Sequence, residues 1–411
     1  MEASLLKTYR DRIESDLRQN ILPFWVDRVV DRERRTFHGE LTHVGDVVAG
    51  VERGALLTSR ILWTYAAAYR KYRDAAYLRM ARWAHRDLND LYSDTEYGGF
   101  WWSIHADGSP ARMRKQVYGQ AFAIYALTEL HLATGEAEPL ESAQTLFHRL
   151  ERHTRDSQQG GYFEAFDRDW SPIADMRLSE VDQNDPKSQN TLLHVMEAYT
   201  NLLRVWPDPG LRAALRELVE LMLDRVVDHG SFHLGLFFDA DWTPRSDRVS
   251  YGHDIEASWL LCEAAQVLGD DSLLERTKET ALAIADVTMA EGLDADGAVF
   301  NQGGPEGITD DSKEWWPQAE ALVGFLNAAE LSGEQRYLKA ALRVWDFIEA
   351  RLIDREHGEW FRGVSREGEV LSQFEKVGFW KCPYHNGRAA LEAVDRLNRL
   401  PSHFSLTPVG T

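Results

Sequence analysis

Cysteine is nearly absent: among 411 residues there are two, Cys262 and Cys382. Two thiols cannot build a disulfide framework or a cysteine zinc site, so redox chemistry has no support and each reads as a small packed side chain. Long apolar runs are missing as well. No uninterrupted stretch reaches membrane-spanning length, and the opening MEASLLKTYRDRIESDL is an amphipathic helix start without the basic-then-apolar pattern of a secretory signal. A cytoplasmic protein without membrane contacts is expected. Positive charge is in short supply, with 46 Lys and Arg against 66 Asp and Glu and no concentrated basic patch. The resulting formal net charge of -20 repels phosphate backbones, which argues against a nucleic-acid partner. Linkers are lacking too. No Pro/Gly/Ser-rich segment, charge block or low-complexity stretch divides the chain, so residues 1–411 are expected to form a single domain despite their number.

What is present is repetition. Short segments rich in glycine and aromatic residues recur around Gly39, Gly99, Gly161, Gly235, Gly297 and Gly358, at separations of 60, 62, 74, 62 and 61 residues. Their brief alternation, followed in places by a turn such as Asp107-Gly108 or Glu367-Gly368, predicts small β-hairpins. Between them lie stretches with helical spacing of apolar residues, two per interval. Six helix pairs at a nearly constant period make either an open solenoid or a closed ring. An open solenoid needs polar caps. Here RILWTYAAAYRKY near the start and RAALEAVDRLNRL near the end look like the inner repeats, which predicts closure into an all-α (α/α)6 barrel with hairpins in its connecting loops. The alanine-rich, charge-poor second helix of each pair, as in AFAIYAL, ASWLLCEAA and AEALVGFLNAAEL, should line the interior.

At the beginning of each expected inner helix the apolar pattern is broken by Arg60, Tyr118, His194, His253, Trp316 or His385. Equivalent positions in a closed ring face one central pocket. A lone histidine at a helix start is more often a cap, Arg60 could simply pair with an acid, and Trp315 and Trp316 could be core filling. Three histidines at matched repeat positions resist that reading, and aromatic rings beside polar groups suit a pyranose, whose C–H face stacks while its hydroxyls hydrogen-bond. Helical spacing adds Asn190 to His194, Glu256 to His253 and Arg388 to His385. Glu256 is then placed to fix the tautomer of His253. The same Glu256 and His253 pair invites a metal reading, which the expected neighbours Arg60, Arg388 and the tryptophans oppose; no metal and no other cofactor is expected.

The segments SRILWTYAAAY, KQVYGQAFAIYAL, NTLLHVMEAY, SYGHDIEASWLL, EWWPQAEALVGFLNA and FWKCPYHNGRAALEA resemble those of cellobiose 2-epimerases, within the N-acylglucosamine 2-epimerase superfamily, over nearly the whole chain. The resemblance implies an (α/α)6 barrel that interconverts glucose- and mannose-type residues at the reducing end of β-1,4-linked disaccharides such as cellobiose. It implies that His253 and His385 form the acid-base pair, that His194 is a third active-site histidine and that Arg60 contacts the sugar oxygens. Tyr118, Asp182, Asn190, Glu256, Trp315, Trp316, Trp380 and Arg388 fall at positions resembling sugar contacts or their supports. Leu192 and Gln116 stand where some relatives have histidine, and Gly378 where some have an acid; these departures touch substrate length and side reactions, not the acid-base pair. Such a reaction opens the sugar ring, removes the carbon-2 proton and returns a proton to the other face through an enediolate. Alternatives of neighbouring chemistry are a mannose 2-epimerase or an aldose-ketose isomerase acting on monosaccharides. More distant ones are a glycoside hydrolase, with acids such as Asp182, Glu256 and Glu320, and a noncatalytic sugar-binding protein. The expected partner is a small sugar, with the protein a monomer or weak homo-oligomer.

Overall fold

A computed structural model describes residues 2–400; the expected unit of residues 1–411 extends past them at both ends. Among the described residues twelve long helices alternate between two walls. The outer wall is α1 (Glu2–Asp16), α3 (Ala75–Tyr92), α5 (Ala137–His153), α7 (Pro209–Leu221), α9 (Asp271–Val287) and α11 (Gln335–Phe347). The inner wall is α2 (Ala55–Tyr72), α4 (Val117–Thr134), α6 (Gln189–Val205), α8 (Tyr251–Leu268), α10 (Trp315–Ser332) and α12 (Tyr384–Arg399). Each inner helix packs on the next, and α12 returns to α2, so the ring is closed, as the alikeness of the terminal repeats predicts. The outer helices confine their apolar residues to one stripe, whereas α4, α8 and α10 are apolar nearly all round and buried on every side. No helix among the described residues is long and apolar enough to cross a membrane.

Closure is also made by the loops and the outer wall. Leu41 bridges Val377, Trp25 donates its indole N–H to Glu359 (2.8 Å), and Trp360 donates to Asp16 (2.8 Å). The hairpins within the glycine-rich segments are mostly single bridges, such as Ser93 with Phe100 and Arg155 with Tyr162. The longer ladders join neighbouring repeats instead. The two residues before an inner helix pair with the segment about one repeat ahead: Arg53 and Gly54 with Ile104 and Ser103, Lys115 and Gln116 with Phe166 and Ala165, Lys187 and Ser188 with Phe238 and Phe237. That segment then caps the helix, for Ala55, Val117, Gln189 and Trp315 donate their N–H groups to the carbonyls of Trp102, Glu164, Leu236 and Arg362. A helix end is thereby fixed by the next repeat although the connections are loops.

Under these ladders lies a recurring buried charge. Lys115 reaches Asp94 at 2.9 Å, Lys187 reaches Asp156 at 2.7 Å and Lys313 reaches Asp294 and Asp296 at 2.8 and 2.6 Å, with all three lysines fully enclosed. Glycine is required where the loops turn tightly beneath them. Gly161 has φ of +76°, and a Cβ there would lie 2.7 Å from the Trp242 ring.

Candidate functional site

The inner helices deliver their N-terminal side chains at two depths. In the first turn stand Tyr118, Asn190, His253, Trp316, Tyr384 and His385; further along the helices stand Arg60, Phe122, His194, Glu256, Glu320 and Arg388. The single ring expected from the sequence is therefore two tiers. Four residues along a helix advance the side chain by about 6 Å, so Arg60 and His194 sit below Tyr118 and His385 and form a floor beneath them.

The floor is built on Arg388. Its Nη2 donates to Glu256 (2.6 Å) and Glu320 (2.7 Å), while its Nη1 meets Glu197 and the Tyr384 hydroxyl. All are buried. Burial opposes ionisation of Glu197, but Arg388 and a hydrogen bond from His194 hold its pKa at about 2. Burial and the mutual repulsion of the two carboxylates raise Glu256 well above the usual range; burial likewise raises Glu320. Glu256, Glu320 and His385 converge closely enough to resemble a metal site. The guanidinium already bridges the two carboxylates there, so the donor set does not fit a cation. Arg388→Met should cost about 3 to 5 kcal/mol of stability in urea unfolding, because three carboxylates lose their shared counter-ion. Unchanged stability would show that the carboxylates are held otherwise.

The histidines are each anchored through Nδ1. His194 meets Glu197 at 2.9 Å, His385 meets Glu320 at 2.7 Å and His253 meets the Ser250 hydroxyl at 2.8 Å. The expectation that Glu256 orients His253 is not met: Glu256 lies deeper, on Arg388, and Ser250 at the helix N-cap turns its hydroxyl to the imidazole. Desolvation, with the charge of His194 nearby, pushes His253 down to about 3, against a smaller pull from Glu320. Burial and the neighbouring Arg60 and Arg388 lower His385 well below the ordinary imidazole range. Both rings are neutral near pH 7 and so can accept a proton. Both pack against Trp316, whose ring lies 4.7 Å from that of His253 and 5.8 Å from that of His385.

Arg60 differs from Arg388 in having no acid. Its Nη2 donates to the Tyr118 hydroxyl (2.6 Å), its Nη1 approaches the Trp380 carbonyl and Cys382 Sγ, and its guanidinium rests 4.3 Å from the Phe122 ring. Among the described residues no carboxylate hydrogen-bonds or ion-pairs with it, so the plain ion-pair reading does not apply. Tyr118 in turn packs edge-on against His194 at 5.0 Å.

A cleft of about 210 Å³ at this end of the barrel has Asp182, Asn190, His253, Trp316, Glu164 and Gln189 in its wall; His385, Tyr118, Trp380 and the floor residues do not line it. The buried Oε1 of Gln189 and Oδ1 of Asn190 lack a donor, as acceptors awaiting a hydroxyl would. Asp182 lies on the loop that lengthens the third interval and accepts from the Ser179 N–H (2.9 Å) and hydroxyl (2.7 Å). Trp380 is half-buried between Trp102 and Tyr118. Trp315 is buried beside Arg362 and Lys381, a packing residue rather than a cleft wall. Trp102 is also buried, and Trp101 half-buried.

Several site residues escape the sequence reading: Glu197, Ser250, Tyr384 and Glu164. Glu197 follows His194 by three, the spacing that singles out Glu256 and Arg388, and could have been found that way. Glu164 takes hydrogen bonds from the Ser188 N–H and hydroxyl and from Thr191, and burial nonetheless raises its pKa to about 7. It lies in a loop 24 residues before Ser188, and no local spacing points to it.

The sequence profile of the N-acylglucosamine 2-epimerase (GlcNAc 2-epimerase) family matches residues 36–388, and the chain belongs to that family. A cellobiose 2-epimerase of Bacteroides fragilis is 44% identical over 386 residues, which are 94% of this chain and 98% of that one. One from Dictyoglomus turgidum is 37% identical over 95% of this chain and 100% of its own. The solved cellobiose 2-epimerase of Bacillus thermoamylovorans superposes with a TM-score of 0.91 at 37% identity, covering 95% of this chain and 100% of that one.

Proposed function

We propose that the protein is a sugar 2-epimerase interconverting glucose- and mannose-type residues at the reducing end of β-1,4-linked disaccharides such as cellobiose. The observation that carries this reading is the pair of anchored, neutral imidazoles, His253 and His385, both packed against Trp316, with an arginine without a counter-ion close to His385. After ring opening, one imidazole takes the carbon-2 proton and the electron pair moves onto the carbonyl oxygen, giving an enediolate. Arg60, with Tyr118 beside it, receives that negative charge, and His194 assists there or in ring opening. The other imidazole delivers a proton to the opposite face of carbon 2. When His385 is the donor, its Nε2 proton leaves while Nδ1 takes up the proton shared with Glu320; when it is the base, the same two transfers run backwards.

Asp182, Asn190, Trp316 and Trp380 are assigned to sugar contacts, and Glu256 and Arg388 to their support. Trp315 keeps its assignment only as packing against His385, its ring 6.3 Å away. The hydrolase reading is disfavoured because Glu256 and Glu320 are taken up by Arg388 within the floor. The proposal includes one catalytic unit, in the cytoplasm, as a monomer or weak homo-oligomer, with no metal or nucleotide. Incubation with cellobiose, mannobiose, mannose and fructose, with products identified, tests it: glucosyl-mannose from cellobiose is expected, and released glucose or no product at all would count against it. Turnover should also persist after exhaustive chelation, since Arg388 occupies the place between the carboxylates. Loss that a single metal restores would contradict this.

A further inference from the structure

The fourth repeat fastens its inner helix differently from the second and the fifth. In α4 and α10 the fourth residue is glutamine, and its amide clamps one loop residue at both backbone groups. Gln120 accepts from the Phe100 N–H (2.9 Å) and donates to its carbonyl (2.7 Å); Gln318 does the same with Val299 (2.7 and 2.7 Å). These clamps do not titrate. The fourth residue of α8 is Asp254, fully buried, which accepts from the Leu234 N–H at 2.9 Å and cannot donate back. Its other oxygen takes His233 Nδ1 at 2.8 Å, and His233 Nε2 faces Glu291 at 3.2 Å, on the π-helical turn after α9.

A neutral imidazole carries one N–H and cannot donate to two carboxylates. Both contacts at once describe an imidazolium. The groups around it favour that form: Asp254 on α8, Glu291 after α9, Asp228 on its own loop and the ring of Tyr251 at 5.9 Å, with His229 beyond Asp228 and bonded to the Leu223 carbonyl. Residues 234–237 of the same loop continue to Leu236 and Phe237, which line the cleft.

We propose that His233 is a positioning residue for the reaction: charged, it fastens this loop through Asp254 to the first turn of α8 and so sets the orientation of His253, the preceding residue in the chain. The inference rests on the reading of His253 as an acid-base group. Burial disfavours the charged ring, but the hydrogen bonds to Asp254 and Glu291 outweigh it, and His233 titrates above the ordinary imidazole value. The sign follows. The clamp is complete below the ordinary value and is lost as pH rises through the raised one, so activity declines on the alkaline side.

The test is an NMR pH titration of the imidazoles in the whole enzyme without substrate, alongside kcat against pH with cellobiose, for the wild type, Glu291→Gln and His233→Gln. Glu291 is exposed, so its replacement leaves the fold intact. In the wild type His233 should titrate above the ordinary value, and the His253 resonance should follow that titration. Glu291→Gln should lower the His233 titration and carry the alkaline limb of kcat to lower pH with it. His233→Gln should remove that limb and lower kcat about 10- to 100-fold with KM little changed, as a small misplacement of a reacting group does. The proposal is overturned if His233 titrates at or below the ordinary value, or if the alkaline limb stays in place while the His233 titration moves. A protein inactive on every sugar would sink the functional reading alone, since the titrations need no turnover.

Discussion

His253→Asn and His385→Asn should each abolish epimerisation while leaving carbon-2 proton exchange on one epimer. General acid-base groups contribute about 100- to 10,000-fold, so the loss lies far outside experimental scatter. The two variants are distinguished by which epimer exchanges. With one imidazole gone, the remaining base can still remove the carbon-2 proton from the face it addresses and return a deuteron to that face. Followed by NMR in heavy water, one variant should take up deuterium from the glucose-type sugar and the other from the mannose-type sugar. The geometry favours this outcome because the two rings are anchored separately, one on Ser250 and one on Glu320, so removing either leaves the other's tether intact. Epimerisation by both variants at wild-type rates would exclude the pair as the bases. Equal loss of exchange on both epimers would reduce them to a less specific role.

The barrel was legible because its signal is periodic. Six similar segments at a nearly constant interval, with alanine-rich stretches between them, point to stacked helix pairs, and the lack of polar terminal repeats favoured closure. The ladders between repeats were not legible, since a two-residue strand carries no pattern and its partner lies about 50 residues away. For the site, the residue types and their convergence could be read from matched repeat positions. The depth could not be read without register. Aligning on Lys115, Lys187, Lys313 and Lys381 puts Phe122, His194, Glu320 and Arg388 at one depth, and His385 three residues earlier. That alignment separates the floor from the first turn, but the fourth repeat has Val249 in place of the lysine and Glu256 is left without a register. Its partner, Arg388, comes from a helix 132 positions away, which helical spacing cannot reveal.

Arg60 decides whether the floor stabilises an enediolate or merely supports a binding cleft. Two arginines lie at this depth, and their surroundings differ in kind. Arg388 is consumed by Glu197, Glu256 and Glu320, whereas Arg60 is held by a tyrosine hydroxyl and aromatic rings. An enclosed cation without a counter-ion destabilises the empty site and gains most when negative charge develops beside it, which is the requirement for preorganised stabilisation. Arg60→Ala should therefore lower kcat about 100- to 1,000-fold. Its melting temperature should stay near that of the wild type, because no carboxylate is left stranded and the cost of burying an unpaired charge disappears. Carbon-2 exchange in heavy water should fall by the same factor on both epimers, since the enediolate precedes either fate of the proton. This separates Arg60→Ala from the histidine variants, which lose exchange on one epimer only. Near-normal turnover, or exchange that persists on either epimer while epimerisation fails, would remove Arg60 from the charge-stabilising step.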